Sequence, residues 1–209
     1  MVDLRSIRLY RLTHIENIPH ILEHGITHAT SEKANPNYQP IGDPTLISTR
    51  NDKIIPITRR RALGEFTPFY FGYRTPMLFV IQKGYNQVKL TNAEEVVYCV
   101  TYVQKIMDSE LDFFFTNGHA LDGLTDFYKR DQINQVAQLV DFKAVAVKNW
   151  KSIEDTDLKR RKEAEFLLKG DLPPEFIAGF VVYDESAKEK LLQWGVKENQ
   201  VAIKKDFYF

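Results

Sequence analysis

Runs of β-branched and aromatic residues recur from one end of this chain to the other, at uneven spacing. IRLYRLT, FTPFYFGY, VKLTN, EEVVYCVTYV, LDFFFTNGHA, AEFLLKG, GFVVYDE and QVAIKKDFYF all have strand composition. Helical patterns separate only some of them. In HIENIPHILEHGI, Ile15, Ile18, Ile21, Leu22 and Ile26 sit near helical spacing, and Gly25 suits a C-cap. Pro76 is placed to open a helix at PMLFVIQKG, and LTDFYKRDQINQVAQLVDF and ESAKEKLLQWG also read as helical. A doubly wound parallel sheet needs more regular alternation. The order predicts an α+β fold with a mixed or largely antiparallel sheet and flanking helices. Pro68 should break the strand in FTPFYFGY.

With 209 residues, 44% of them apolar, and no repeat or linker, the chain suits a single domain over 1–209. Lys plus Arg equals Asp plus Glu at 28 each, so bulk charge selects neither a nucleic acid nor an acidic substrate. Cys99 is the one cysteine, which excludes an internal disulfide and a multi-cysteine metal site. Its apolar surroundings predict a buried core thiol. No apolar run reaches the ~18 residues of a membrane span, and the N-terminus lacks signal-peptide shape. The expected setting is cytoplasmic.

There is no P-loop, GxGxxG, GxSxG or HExxH pattern. His20, His24 and His28 have i,i+4 spacing, but Gly25 should end the helix before His28, so no metal site is expected. The polar stretch from Thr27 to Lys53, with Pro36, Pro40 and Pro44, is long for a compact domain and suits a lid or binding loop. Basic residues cluster at Arg59–Arg61 and Lys159–Lys162. Each cluster reads as a solvated face or, beside the aromatics of FTPFYFGYR, as the edge of a groove for single-stranded nucleic acid. In RRKEAEFLL, periodicity places both Glu163 and Glu165 towards solvent.

Six segments, in this order, resemble the DarT family of DNA ADP-ribosyltransferase toxins, part of the DarT/DarG toxin–antitoxin type. They are YRLTHIENIPHILEHGI, LISTR, TPFYFGYRTPML, FFFTNGHA, EAEFLL and the closing KKDFYF, read as an aromatic strand, and they span Tyr10 to Phe209. The resemblance implies an ADP-ribosyltransferase-like split sheet whose central cleft binds NAD, consumed as substrate with no further cofactor. It makes Glu165 the catalytic glutamate, aimed into the cleft, and Arg50 the catalytic arginine. Glu163 stays a solvated charge. His14, Thr13 and Asn17 fall on the NAD-binding strand motif, and residues 30–49 on the loop over the dinucleotide. Tyr73, Arg74, Thr116 and His119 become candidate DNA contacts, the last two alternatively loop contacts.

The chemistry suits these residue types. Cleavage of the nicotinamide–ribose bond develops oxocarbenium-like charge, which a nearby carboxylate stabilises. Arginine suits bidentate phosphate or carbonyl contacts. The implied function is an NAD-dependent mono-ADP-ribosyltransferase toxin modifying guanine or thymine in single-stranded DNA, releasing nicotinamide. A cognate antitoxin would reverse or block the modification. Alternatives are a transferase acting on RNA or protein, and a non-catalytic module that binds single strands. Family members that modify thymidine commonly have His-Asp-Tyr before the PFYF-type run, where this chain has Gly64, Glu65 and Phe66. That departure leaves the base open.

Overall fold

The structure, a computed structural model, describes residues 3–58 and 60–209; Arg59 of the first basic cluster lies outside the described residues. The strands are β1 (Arg8–His14), β2 (Phe66–Tyr70), β3 (Val96–Tyr102), β4 (Phe113–Thr116), β5 (Phe127–Lys129), β6 (Glu165–Lys169), β7 (Gly179–Val182) and β8 (Val201–Ile203). The helices are α1 (Ile18–His24), α2 (Pro44–Asp52), α3 (Pro76–Lys83), α4 (Val103–Met107), α5 (Val136–Leu139), α6 (Phe142–Ala146), α7 (Leu158–Lys162) and α8 (Glu185–Gln193). All eight strands join one sheet in the order β5-β4-β6-β2-β1-β3-β7-β8, antiparallel except for the β7–β8 pair. This is the mixed α+β architecture that the sequence predicts.

The sheet is split in its middle. β1 pairs with β3 along its whole length, Arg8↔Tyr102 to His14↔Val96, and β2 with β6 from Phe66↔Lys169 to Tyr70↔Glu165. Between the halves, β1 and β2 meet only at Tyr10↔Tyr70 among the described residues. Pro68 explains how this seam is built. A strand residue directs its N–H and C=O to the same side, and the Pro68 carbonyl accepts from Arg11 Nη1 of β1 at 2.9 Å. The missing N–H therefore faces the seam, where no ladder bond is lost. The proline expected to break the strand lies within β2 and helps to part it from β1.

Side-chain alternation then sorts the core. One face carries a continuous cluster that includes Leu9, Phe69, Cys99, Phe113, Phe166 and Val182. The opposite face carries two separate clusters. Tyr10, Leu12, Leu78, Tyr98 and Tyr208 lie on the β1 side of the seam, and Phe66, Phe114, Leu63 and Leu167 on the β6 side. Glu165 and Tyr70 sit on this divided face. Cys99 is buried as expected, and burial pushes its thiol up to about 12.

Several local expectations are corrected. VKLTN forms no strand, and LTDFYK is not helical, because Phe127–Lys129 pairs with β4 before the short helical turns begin at Arg130. The closing KKDFYF is a turn rather than a strand; Tyr208 plugs the core, its one hydroxyl proton lying between two acceptors, Val96 O and Val181 O, each 3.0 Å from the phenol oxygen. The polar stretch is not a loop to its end, since α2 covers LISTR. Asp43 caps that helix, Oδ1 accepting from the Thr45 and Leu46 N–H groups, with Pro44 at its first position. No helix among the described residues is long and apolar enough to cross a membrane.

Candidate active site

Tyr10, Tyr70 and Glu165 are direct cross-strand neighbours on β1, β2 and β6, so their side chains stand in one row across the seam. Glu165 is fully buried, which overturns the solvent-facing reading from periodicity. β6 has partners on both sides, β2 and β4, so its backbone is rigidly placed. Thr116 fixes the start of the strand. Its hydroxyl accepts from Glu165 N at 2.9 Å and donates to Gly118 O at 2.7 Å.

Three groups converge on the Glu165 carboxylate. Ala120 N–H donates to Oε1 at 2.8 Å, and Arg50 Nη1 donates to the same oxygen at 3.3 Å. Arg50 Nη2 lies 2.9 Å from Oε2, an ion contact not directed as a hydrogen bond. Nη2 and Oε2 are accordingly left among the few buried side-chain polar atoms without a hydrogen-bond partner among the described residues. Burial raises the Glu165 pKa, but Arg50, His119 and the two hydrogen bonds outweigh it and hold the carboxyl below its ordinary value. Burial likewise opposes the Arg50 charge, and Glu165 more than restores it. Both groups are ionised at neutral pH. Burial lowers His119, leaving a neutral imidazole beside the pair, and raises Tyr70, leaving a neutral phenol.

Arg50 reaches Glu165 from the last turn of α2, an exposed helix with no buried residue. Gly64 is what lets α2 come this close: a Cβ there would stand 2.7 Å from Asn51 Cα and 2.6 Å from its Oδ1. Gly64→Ala should therefore displace the Arg50 end of α2 and destabilise the protein by about 1–3 kcal/mol, as overpacking against backbone does. Thermal melting of the variant checks this. The Gly64-Glu65 segment thus braces α2, and His28 Nε2 contacts Gly64 O at 2.7 Å.

The remaining sequence candidates divide. Thr13 and Asn17 are buried together, Asn17 Nδ2 donating to Thr13 Oγ1 at 3.0 Å. Asn17 also grips the main chain of the polar loop that leads to α2, donating to Gln39 O at 2.9 Å and accepting from Gln39 N at 2.8 Å. His14 ends β1, its Nδ1 accepting from Glu16 N at 3.2 Å and its Nε2 lying 3.8 Å from Glu95. Thr116 is fully buried, its hydroxyl held between Glu165 N and Gly118 O. Tyr73 stacks on Phe207 with ring centroids 3.6 Å apart, and Arg74 donates to Tyr208 O and covers the Phe209 ring. Those contacts commit both side chains to the C-terminal tail rather than to an open groove.

The basic run before Glu165 is largely consumed. Arg160 pairs with Asp157, Arg161 with Asp141, Asp155 and Asp157, and Lys162 is buried with Nζ donating to Val145 O and Val147 O. Arg61 pairs with Asp112 at 2.7 Å. Three of the four basic residues of the second cluster, Arg160, Arg161 and Lys162, are therefore tied into the fold. Glu163 is corrected most sharply: it is 7% exposed rather than solvated. α1 ends at Gly25 with φ of 80°, placing His28 off the helix that carries His20 and His24.

The split sheet, with a buried carboxylate–guanidinium pair in its seam, fits what the sequence resemblance implies for the ADP-ribosyltransferase class. Within it, the family model described as "ssDNA thymidine ADP-ribosyltransferase, DarT" matches residues 10–209, and the chain belongs to that family. A DNA ADP-ribosyl transferase of Escherichia coli O127:H6 is 29% identical over 205 residues, covering 96% of this chain and 93% of the relative. Thermus sp. 2.9 DarT in complex with ADP-ribosylated single-stranded DNA superimposes with a TM-score of 0.85 at 27% identity, covering 97% of this chain and 96% of that one. The same protein in complex with NAD+ gives 0.79 at 26%, covering 97% and 98%. A DNA ADP-ribosyl transferase–DNA ADP-ribosyl glycohydrolase fusion protein of Thermosipho africanus is 28% identical over 189 residues, which are 90% of this chain and 45% of the fusion.

Proposed function

We propose that this protein, as a single domain, is an NAD-dependent mono-ADP-ribosyltransferase toxin that modifies thymine or guanine in single-stranded DNA and releases nicotinamide. The observation that carries this reading is Glu165 Oε2, a buried, ionised carboxylate oxygen with no directed hydrogen bond, aligned in the seam of the sheet. That oxygen keeps a lone pair that no directed N–H occupies, and a ribose hydroxyl of NAD would fill it when the dinucleotide enters the seam beside Arg50. As the bond from ribose C1′ to nicotinamide lengthens, positive charge grows on the ribose and the carboxylate opposes it. Its position is set in advance by Ala120 N–H, Arg50 and Thr116, so little reorganisation accompanies the step.

A base nitrogen then attacks C1′, nicotinamide departs with the electrons of the broken bond, and the proton displaced from the base leaves to water. Arg50 keeps its proton throughout. Its role is to hold Glu165 ionised and to meet the phosphates or carboxamide of NAD with its second fork nitrogen. NAD is consumed as substrate. A glycohydrolase-type antitoxin is the partner that the fusion relative suggests.

Asn17 and Thr13 act on the NAD side by pinning the loop at Gln39 beside His14. Asn17→Ala would leave the Gln39 amide groups without these partners, at a cost of about 1–3 kcal/mol. Its expected kinetic signature is a raised KM for NAD with kcat little changed, read by steady-state nicotinamide release. The acceptor is tested by incubating the protein with labelled NAD and single-stranded DNA, RNA or protein. Label is expected on DNA, and nucleoside mass spectrometry identifies the base. Label on protein or RNA alone would sink the assignment.

A further inference from the structure

Just past the end of β6, one histidine joins three parts of the chain that frame the site. We propose that His28 is a positioning residue for the transfer: its Nε2–H anchors Gly64 and so holds α2 at the register where Arg50 meets Glu165. The inference rests on Arg50 and Glu165 serving the reaction proposed above.

The chain beyond β6 forms the fixed side of this knot. Ile26 and Leu172 exchange backbone hydrogen bonds at 2.9 Å in each direction. Asp171 beside them accepts from His28 N and from the Ser31 hydroxyl, both at 2.6 Å. These bonds tie the start of the polar loop to the strand that begins at Glu165. The imidazole then reaches across to the other side. Its Nε2 lies 2.7 Å from Gly64 O, and a carbonyl can only accept, so Nε2 carries a proton. Nδ1 faces the Thr30 N–H at 3.2 Å, which can only donate, so Nδ1 is the acceptor; the Thr30 hydroxyl lies 2.8 Å from it. The partners fix one tautomer, and with it the direction of the one ring N–H.

Gly64 passes the restraint to α2. A Cβ at Gly64 would stand 2.7 Å from Asn51 Cα, so the backbone there touches the residue next to Arg50. Leu63 N–H donates to Lys53 O at 2.8 Å, which binds the same segment to the end of the helix. α2 has no buried residue of its own, so apolar packing does not fix its position. Its last turn, which carries Arg50, is set by this segment and by the contact with Glu165 itself. A cavity of about 480 Å³, lined by His28, Thr30, Gly64, Lys169 and Asp171 among others, lies against the imidazole. It leaves the knot open to water, so Gly64 O is rehydrated when the ring N–H is removed, at little cost in stability. What the imidazole supplies is direction rather than stability.

The test compares the wild-type protein with His28→Asn and His28→Gln, using labelled NAD and a single-stranded oligonucleotide. Asparagine keeps an acceptor near the place of Nδ1 but cannot reach Gly64 O; the longer glutamine brings an amide N–H to the place of Nε2. His28→Asn is expected to lower kcat about tenfold or more, as displacement of a reacting group does, with the KM for NAD within about twofold of wild type. His28→Gln should recover most of the rate. A displaced Arg50 holds Glu165 less firmly below its ordinary value, so residual labelling by His28→Asn should rise with pH where wild type is constant. In an Arg50→Ala background the same substitution should cost nothing further, because its effect runs through Arg50. A His28→Asn protein with wild-type kcat overturns the proposal. So does a glutamine variant no better than asparagine, a flat pH profile, or a full additional loss in the Arg50→Ala background. A His28→Asn protein that no longer melts as a folded domain overturns it too, since the contact would then serve the fold at large. A wild-type protein that labels no DNA refutes the function itself, which is a separate failure.

Discussion

Glu165→Gln is expected to lower ADP-ribosyl transfer by about a thousandfold or more, near 4 kcal/mol of transition-state stabilisation. Glutamine has the same shape and can still accept from Ala120 N–H, so the lost quantity is negative charge facing the developing oxocarbenium. The substitution also leaves the Arg50 guanidinium buried without its counter-charge, since Arg50 faces Glu165 at 2.9 Å and is only 14% exposed. Removing one partner of such a pair costs about 3–5 kcal/mol of stability. Two readouts separate these effects. Labelling of DNA should collapse even at temperatures where circular dichroism shows the variant folded. A folded variant that labels within about tenfold of wild type would refute the role given to this carboxylate.

Arg50→Ala is the second large effect, and it should change the pH profile as well as the rate. In the native protein the Glu165 carboxyl is held below its ordinary value despite burial, with Arg50 the foremost opposing influence. The pair's contribution to stability is therefore present at neutral pH, above the unfolded value, and is lost as pH falls through the folded value. Without Arg50, burial acts on Glu165 with only His119 and the Ala120 N–H against it, and the carboxyl moves up. Residual labelling should then rise with pH over a range where the carboxylate fraction of wild type is already constant. Wild-type and variant rates at matched NAD saturation check this. A variant with a flat profile over that range would show that Arg50 does not set the ionisation of Glu165.

The polar scaffold was the part least legible beforehand. α2 escaped detection because it buries no residue and so has no apolar stripe. The signal that could have found it was the Asp43-Pro44 pair, a capping residue followed by a proline at the first helical position. Glu163 and the arginines after Lys159 were misread for a related reason. Charge composition is the same for a solvated helix and for one whose side chains are consumed by Asp155 and Asp157 just before it and by Asp141 further along the chain. Tyr73 and Arg74 looked available because nothing local shows that the last three residues fold back onto them.

Composition and periodicity by themselves determined the α+β class, the runs that became β1, β3, β4, β6 and β7, the buried thiol at Cys99 and the stop at Gly25. Those properties depend on residues near one another in the chain, where side-chain alternation and turn chemistry act directly. The order of family-like segments singled out Glu165 and Arg50 without showing how they meet. Only the tertiary structure brought them together across 115 positions of sequence, opened the seam at Pro68, and divided one face of the sheet into two clusters. It alone set the two glutamates apart, with Arg50 holding Glu165 below its ordinary value and burial raising Glu163 to about 8. Charge state in a buried site is set by neighbours in space, and no local pattern of residues encodes them.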